Sequence, residues 1–278
     1  NAAMGETYSD AIDAYSAISL QALRDLFATG AQLKYTWSDL GLPLRPSYPN
    51  IAAGTNFRAH AQEVGLDETP FLFPKLSAPT PWNSDVLAGG RLDFEVELCA
   101  VPLSDYRAGI PAGLGYLLCG DYTDRWTLVR ELDLDGVMGQ TGFASAKGGE
   151  SRLPVGPFLV VPANDNFYHD IEISLYLNDA LRQQAMASEM VWSPQEILSN
   201  TLADCQSSYQ VGDNTVSIAD CNVIPAGTLV LTGTPGGVLF KLATLWNPLA
   251  YLREGDVVTS FGTYLGFMQN QISDTEDR

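Results

Sequence analysis

The feature that most constrains the fold of this chain is a change of texture near residue 50. Before it, residues 7–29 carry Ile12, Tyr15, Ile18, Leu20, Leu23, Leu26 and Phe27 at helical spacing, and Gly30 supplies a stop. That spacing predicts one N-terminal helix, with Pro43, Pro46 and Pro49 marking a linker behind it. After residue 50 come short β-branched or alternating runs broken by Gly and Pro, at 93–101, 157–163, 170–178, 227–233 and 256–261. Tyr116–Cys119 reads as a further buried strand, and short helices are expected at 56–65, 123–133 and 193–203. Strands and helices alternate too seldom for a doubly wound parallel sheet, and no unit repeats at a fixed period. The expectation is a β-rich α+β body behind a helical segment, divided as 1–48, 49–272 and a polar tail at 273–278.

The 278 residues hold 33 acidic against 15 basic side chains, a net charge of −18. Such a field repels polyanions, so nucleic acid and anionic membrane surfaces are excluded as partners. No apolar run reaches the length of a membrane-crossing helix. The four cysteines form no CxxC or zinc-ribbon pairing. Cys99 and Cys119 sit in apolar stretches and are expected as small buried residues; Cys205 and Cys221 would bridge if the protein is exported. Asn1 is not an initiator Met, so a trimmed start is expected, with any targeting segment out of view.

Chemistry concentrates in Asp93-Phe94-Glu95-Val96-Glu97-Leu98. On a strand, Asp93, Glu95 and Glu97 share one face, and Phe94, Val96 and Leu98 the other. The plain reading is a half-buried strand with its acids in water. Against it, no Lys or Arg stands beside them on that face, and acids are poor strand formers; a divalent cation resolves both difficulties. Asp121 closes the apolar run Tyr116–Cys119, where an acid needs a partner or a metal. Arg125, four residues on, is the ordinary partner expected for it. His60 and Glu63 share a face of a short helix, either as an incidental pair or as the two halves of a water-activating dyad. His169 has no assigned role.

The turn Thr232-Gly233-Thr234-Pro235-Gly236-Gly237 follows an apolar strand and is either a hairpin turn or a seat for a carboxylate, but no Lys-Ser/Thr makes it a phosphate loop. Lys75 and Lys147, each ending an apolar segment, are surface lysines or charges for an oxyanion. Ser145-Ala146-Lys147 lacks the SxxK spacing of a Ser–Lys nucleophile.

Taken in order, these segments resemble the fumarylacetoacetate hydrolase family: Gly54-Thr55-Asn56-Phe57-Arg58-Ala59-His60 with Glu63, Phe73-Pro74-Lys75, Asp93 to Leu98, Gly115-Tyr116 to Asp121 and Arg125, Ala146-Lys147, Pro154-Val155-Gly156-Pro157, Asn178-Asp179 with Gln183, and Thr232 to Gly237. The resemblance spans about residues 50–266. It implies a mixed β-roll or sandwich of the C-terminal domain type, a homodimer, and one divalent ion per subunit, Mg²⁺ or else Ca²⁺ or Mn²⁺. By the same resemblance Glu95, Glu97 and Asp121 are the metal ligands. His60, Glu63 and Lys147 are catalytic, and Arg125, Thr234, Gly233 and Lys75 face the substrate. Asp93 falls outside the ligand set, behind it or toward solvent. Trp126 and Leu128 stand where many members carry Asp and Gln, which makes a more apolar pocket the expectation here.

The implied activity is metal-dependent hydrolysis of a carbon–carbon bond in a β-diketone or acylpyruvate-like compound. Decarboxylation or tautomerisation of a 2-oxo diacid such as oxaloacetate is the alternative on the same scaffold. A non-catalytic Ca²⁺-dependent binding protein is the rival from another class, and it gives His60, Glu63, Lys147 and the glycine turn no reason to accompany the acids. A cytoplasmic location follows the family's habit.

Overall fold

The computed structural model describes residues 8–29, 34–45, 49–65 and 69–274. Two mixed sheets dominate it. The larger has the order Phe71–Lys75, Asn50–Gly54, Val230–Leu231, Val96–Pro102, Leu114–Gly120, Pro154–Val155, Thr80–Pro81. The smaller runs Ala180–Met186, Glu172–Leu177, Val257–Gly262, Gly266–Ser273, Val86–Leu87. The first pair of central strands, Val96–Pro102 and Leu114–Gly120, is antiparallel, with Glu97 opposite Cys119 and Val96 opposite Gly120.

Burial explains why these strands read so differently in sequence. Every residue of Val96–Pro102 and Leu114–Gly120 is buried, so Leu114–Gly120 is a continuous apolar run rather than an alternating one. Val257–Gly262 and Gly266–Ser273 keep one face toward water and alternate accordingly. The two sheets meet closely: a Cβ on Gly262 would lie 3.2 Å from Leu118 Cδ1. The architecture is predominantly β, as expected.

Helices appear where local chemistry starts and stops them. Ser193 caps Pro194–Ala203 by accepting from Glu196 N at 3.2 Å, while Glu196 Oε2 accepts from Ser193 N at 2.7 Å. Asp124 caps Arg125–Glu131 by accepting from Trp126 N at 2.9 Å. Gly65, at φ 72°, ends Arg58–Val64 in the left-handed conformation.

The sequence expectations need several corrections. The N-terminal helix is two, Ala11–Ala17 and Leu20–Thr29. Ile18 is extended and buried, and the Ser19 hydroxyl accepts from Ala22 N at 3.1 Å to open the second helix. Burying Ile12 and Ile18 decides the break, against a periodicity that would have continued. Residues 157–163 form no strand beyond a single bridge between Val160 and Tyr116. The acidic run bends at Phe94 and Glu95, between Leu92–Asp93 and Val96–Pro102. Much of the expected linker, 30–33 and 46–48, and the end of the tail, 275–278, lie outside the described residues.

The cysteines are also different. Cys99 and Cys119 are fully buried as expected, yet they are bonded to each other, and Cys205 is bonded to Cys221. The first bridge joins the two central strands on the face that carries Glu97, because Glu97 and Cys99 are two residues apart and Cys119 is Glu97's cross-strand partner. Thiol titration of the unfolded, unreduced protein should therefore find none of the four cysteines free; four reactive thiols would exclude both bridges.

Candidate active site and metal centre

Four buried carboxylates converge beneath one cavity: Asp93, Glu95, Glu97 and Asp121, none more than 4% exposed. The half-buried strand with its acids in water is thus ruled out. So is the absence of nearby bases, since three buried cations arrive from elements distant in sequence. Arg125 donates from Nε to Asp93 at 2.8 Å and from Nη2 to Glu95 at 2.6 Å. Lys147 Nζ donates to Glu95 at 2.6 Å and to Asp121 at 2.8 Å. Lys75 Nζ pairs with Asp121 at 2.8 Å. The expected Asp121–Arg125 pair is not formed: Asp121 takes both lysines, and Arg125 reaches back to the acidic strand.

Four acids against three cations leave one acid unmatched, and it is Glu97, which makes no ion pair among the described residues. It accepts from the backbone N–H of Gly233 at 2.6 Å. Burial, followed by the charges of Asp121 and Glu95, pushes its carboxyl well above the usual glutamate range. Glu95 goes the other way. Burial would raise it too, but the charges of Lys147 and Arg125 outweigh that and hold it at about 2. For Lys75 burial wins over Asp121 and brings the ammonium down to about 8, whereas Asp121 and Glu95 outweigh burial for Lys147 and raise it.

One oxygen from each of Glu95, Glu97 and Asp121 lies within 4.8 Å of the others. Three hard oxygen donors with a surplus of negative charge fit a divalent ion of the Mg²⁺, Mn²⁺ or Ca²⁺ type, and the lack of thiolate and imidazole in the set fits Zn²⁺ poorly.

The turn 232–237 does seat carboxylates, but they are the chain's own. Gly233 N holds Glu97, and Gly237 N donates to Glu63 Oε2 at 2.7 Å. Both donors need glycine. Gly233 has φ 95° and a Cβ there would lie 2.8 Å from Asn56 Cβ; Gly237 has φ 114° and its Cβ would lie 1.9 Å from Arg182 O. Gly233, expected to face substrate, is thus committed to Glu97. Lys75 is corrected likewise: it is wholly buried, with its ammonium on Asp121 and on the carbonyls of Lys147 and Arg152, and it does not line the cavity. Asp93 does not face solvent; it accepts from Arg125 and from the N–H groups of Leu239 and Phe240 at 2.9 and 3.0 Å.

His60, Glu95, Glu97, Arg125, Lys147 and Thr234 line the cavity, which holds about 380 Å³. His60 is buried on the short helix Arg58–Val64, its Nδ1 lies 3.9 Å from Glu63 Oε2, and that nitrogen has no hydrogen-bond partner. Glu63 sits below the usual range: burial opposes this, and His60 and the Gly237 N–H outweigh it. Thr55, at φ 51°, holds a left-handed conformation at the entry to this helix, fixed by its hydroxyl on Thr69 O at 3.0 Å. Thr234 donates to Val96 O and accepts from Gln183 Nε2, each at 2.9 Å.

Sequence reasoning missed the rest of the lining. Phe71, Phe73, Phe143, Phe240 and Leu245 make its aromatic and apolar part. Strand phase held part of that signal, since Phe71, Phe73 and Lys75 alternate along one strand and point the same way. Leu128 faces the cavity as expected. Trp126 does not; its ring meets Trp246 edge-to-face at 5.6 Å and lies beneath Arg91 at 4.3 Å.

Residues 50–273 match the family profile described as fumarylacetoacetate (FAA) hydrolase C-terminal. The chain belongs to that family. Among curated relatives it is 25% identical over 238 residues to oxaloacetate tautomerase YisK of Bacillus subtilis, covering 82% of this chain and 70% of that one. It is 26% identical over 246 residues to the 2,4-didehydro-3-deoxy-L-rhamnonate hydrolase of a Sphingomonas strain, covering 84% and 76%. Fumarylpyruvate hydrolase from Pseudomonas aeruginosa, solved with Mn²⁺ and pyruvate, shares the fold at a TM-score of 0.62 and 22% identity, over 88% of this chain and 96% of that one. Fumarylacetoacetate hydrolase relatives thus include hydrolases and a tautomerase, and the buried acidic triad lies within the matched region of this member.

Proposed function

We propose that this family member hydrolyses a carbon–carbon bond in an acylpyruvate-like or β-diketone substrate. The observation that carries the reading is that Glu95, Glu97 and His60 line one cavity, with Asp121 grouped behind the two glutamates and Glu63 beside the histidine. Glu95, Glu97 and Asp121 would hold the metal. A bound divalent ion supplies Lewis-acid polarisation of chelated oxygens and a positive charge for a leaving enolate. His60 would take a proton from the attacking water, with Glu63 stabilising the imidazolium. Two of the Lys147 ammonium protons are used on Glu95 and Asp121, which leaves one for the tetrahedral oxyanion. Thr234, with its hydroxyl proton already on Val96 O, would shape the cavity wall rather than donate to a substrate oxygen, and Arg125 would keep Glu95 charged and fixed in place.

A second reading, tautomerisation or decarboxylation of a 2-oxo diacid, draws on the likeness to the oxaloacetate tautomerase. It needs the metal site but not the hydrolytic water. Following a diketone's ultraviolet absorbance with Mn²⁺ or Mg²⁺ tests the first reading: the expected result is loss of absorbance that EDTA abolishes and added metal restores. Conversion of oxaloacetate alone would favour the second. Assembly as a homodimer belongs to this proposal as the family's habit. The thiol titration bears on the proposed cytoplasmic location, because disulfides persist mainly in oxidising compartments.

A further inference from the structure

Helix Arg58–Val64 and the acid cluster account for one end of the cavity; the other end is a wall of apolar side chains with no chemistry assigned to it. Arg125, Leu128, Val129 and Leu132 all line the cavity at spacings of three, four and seven residues. They therefore form a single stripe along Arg125–Glu131 and its cap. The stripe begins with a guanidinium on the acid cluster and continues about 10 Å outward, at a rise of 1.5 Å per residue. Phe71, Phe143, Phe240 and Leu245 line the same cavity. At the mouth Leu134 is 76% exposed, and Trp246, next to Leu245, is 70% exposed. Among the described lining residues the lysine and arginine are Lys147 and Arg125, and both are committed to Asp93, Glu95 and Asp121 at the inner end. Among the described residues that line the outer wall, none is a cation that would neutralise a second carboxylate.

We propose that the substrate's 2-oxo acid end reaches the acid cluster while an uncharged apolar arm, alkyl or aryl, lies along the Leu128–Val129–Leu132 stripe. This rests on the reading that the cluster holds a metal chelated by a 2-oxo acid. It goes further by excluding dicarboxylic substrates, in which the arm would bring an unpaired charge against apolar walls.

Calorimetric titration of the protein, with and without Mn²⁺, by pyruvate, 2-oxohexanoate, 2-oxooctanoate and 2-oxoadipate tests it. Affinity should rise about fourfold per buried methylene, so roughly sixtyfold from pyruvate to 2-oxohexanoate. 2-Oxoadipate, matched in length but charged at its end, should bind at least about tenfold more weakly than 2-oxohexanoate. In Leu132→Lys, a change at a partly exposed position, that order should reverse. Mn²⁺-dependent binding of pyruvate with no gain along the series, or with 2-oxoadipate preferred, would overturn the apolar arm and keep the metal reading. Chain-length-dependent binding that ignores Mn²⁺ would keep the arm and overturn the metal reading. No binding by any acid overturns both.

Discussion

Glu97→Gln should give a protein that, free of metal, melts higher at neutral pH yet binds Mn²⁺ at least about 100-fold more weakly, since even partners of metal ligands are worth 10- to 100-fold in affinity. Glu97 is the acid without a cation, and burial together with Asp121 and Glu95 raises its carboxyl above the ordinary value of 4.5. A group raised in the folded state binds its proton more tightly there than in the unfolded chain. Its contribution to stability is full below pH 4.5 and is lost as pH climbs toward the folded value. Glutamine abolishes this loss while its oxygen can still accept from Gly233 N. Melting curves should therefore coincide at acid pH and separate at neutral pH, by roughly 2–4 °C for each kcal/mol recovered. A variant less stable than the parent at neutral pH would show that Glu97 contributes as an ordinary structural carboxylate.

His60→Ala should lower hydrolytic turnover by about 10²- to 10⁴-fold, the range for loss of a general base, with Mn²⁺ affinity unchanged. The histidine belongs to Arg58–Val64, whereas Glu97 lies in a central strand, Glu95 just before that strand and Asp121 just after its neighbour. Its 3.9 Å separation from Glu63 exceeds a hydrogen bond, so a shift of about 1 Å would complete the dyad. Glu63→Gln should have the same sign and a smaller effect, because the imidazole remains. Unchanged turnover in His60→Ala would remove the dyad and leave the tautomerase reading as the stronger one.

Local rules made part of this molecule legible. The short helix expected at 193–203 is Pro194–Ala203, opened by the Ser193–Glu196 capping box and Pro194. Strand phase put Glu95 and Glu97 on one face, where both now line the same cavity. Partners distant in sequence were not legible. Lys75 meets Asp121 from the end of a different strand, and Lys147 arrives from the cap of a separate short helix, so no pattern near residue 95 could foretell that bases would surround its acids. Arg125 shows the same limit: helical spacing offered Asp121, while the fold supplied Asp93 and Glu95 with better geometry. Cys99 and Cys119 satisfied a burial argument that said nothing about their bonding. The break at Ile18 followed from packing, which periodicity alone does not contain.

The turn that clasps Glu97 by Gly233 and Glu63 by Gly237 gives the site a common frame of reference. Two amides of one short backbone segment fix the spacing between the strand that offers a ligand and the helix that offers a base. The separation of proton acceptor and metal is therefore gauged by main chain, much as a caliper holds two jaws. Side chains around the cavity can vary to suit new substrates without disturbing that gauge, but an inserted or deleted residue between the two glycines would open or close the jaws together with the chemistry.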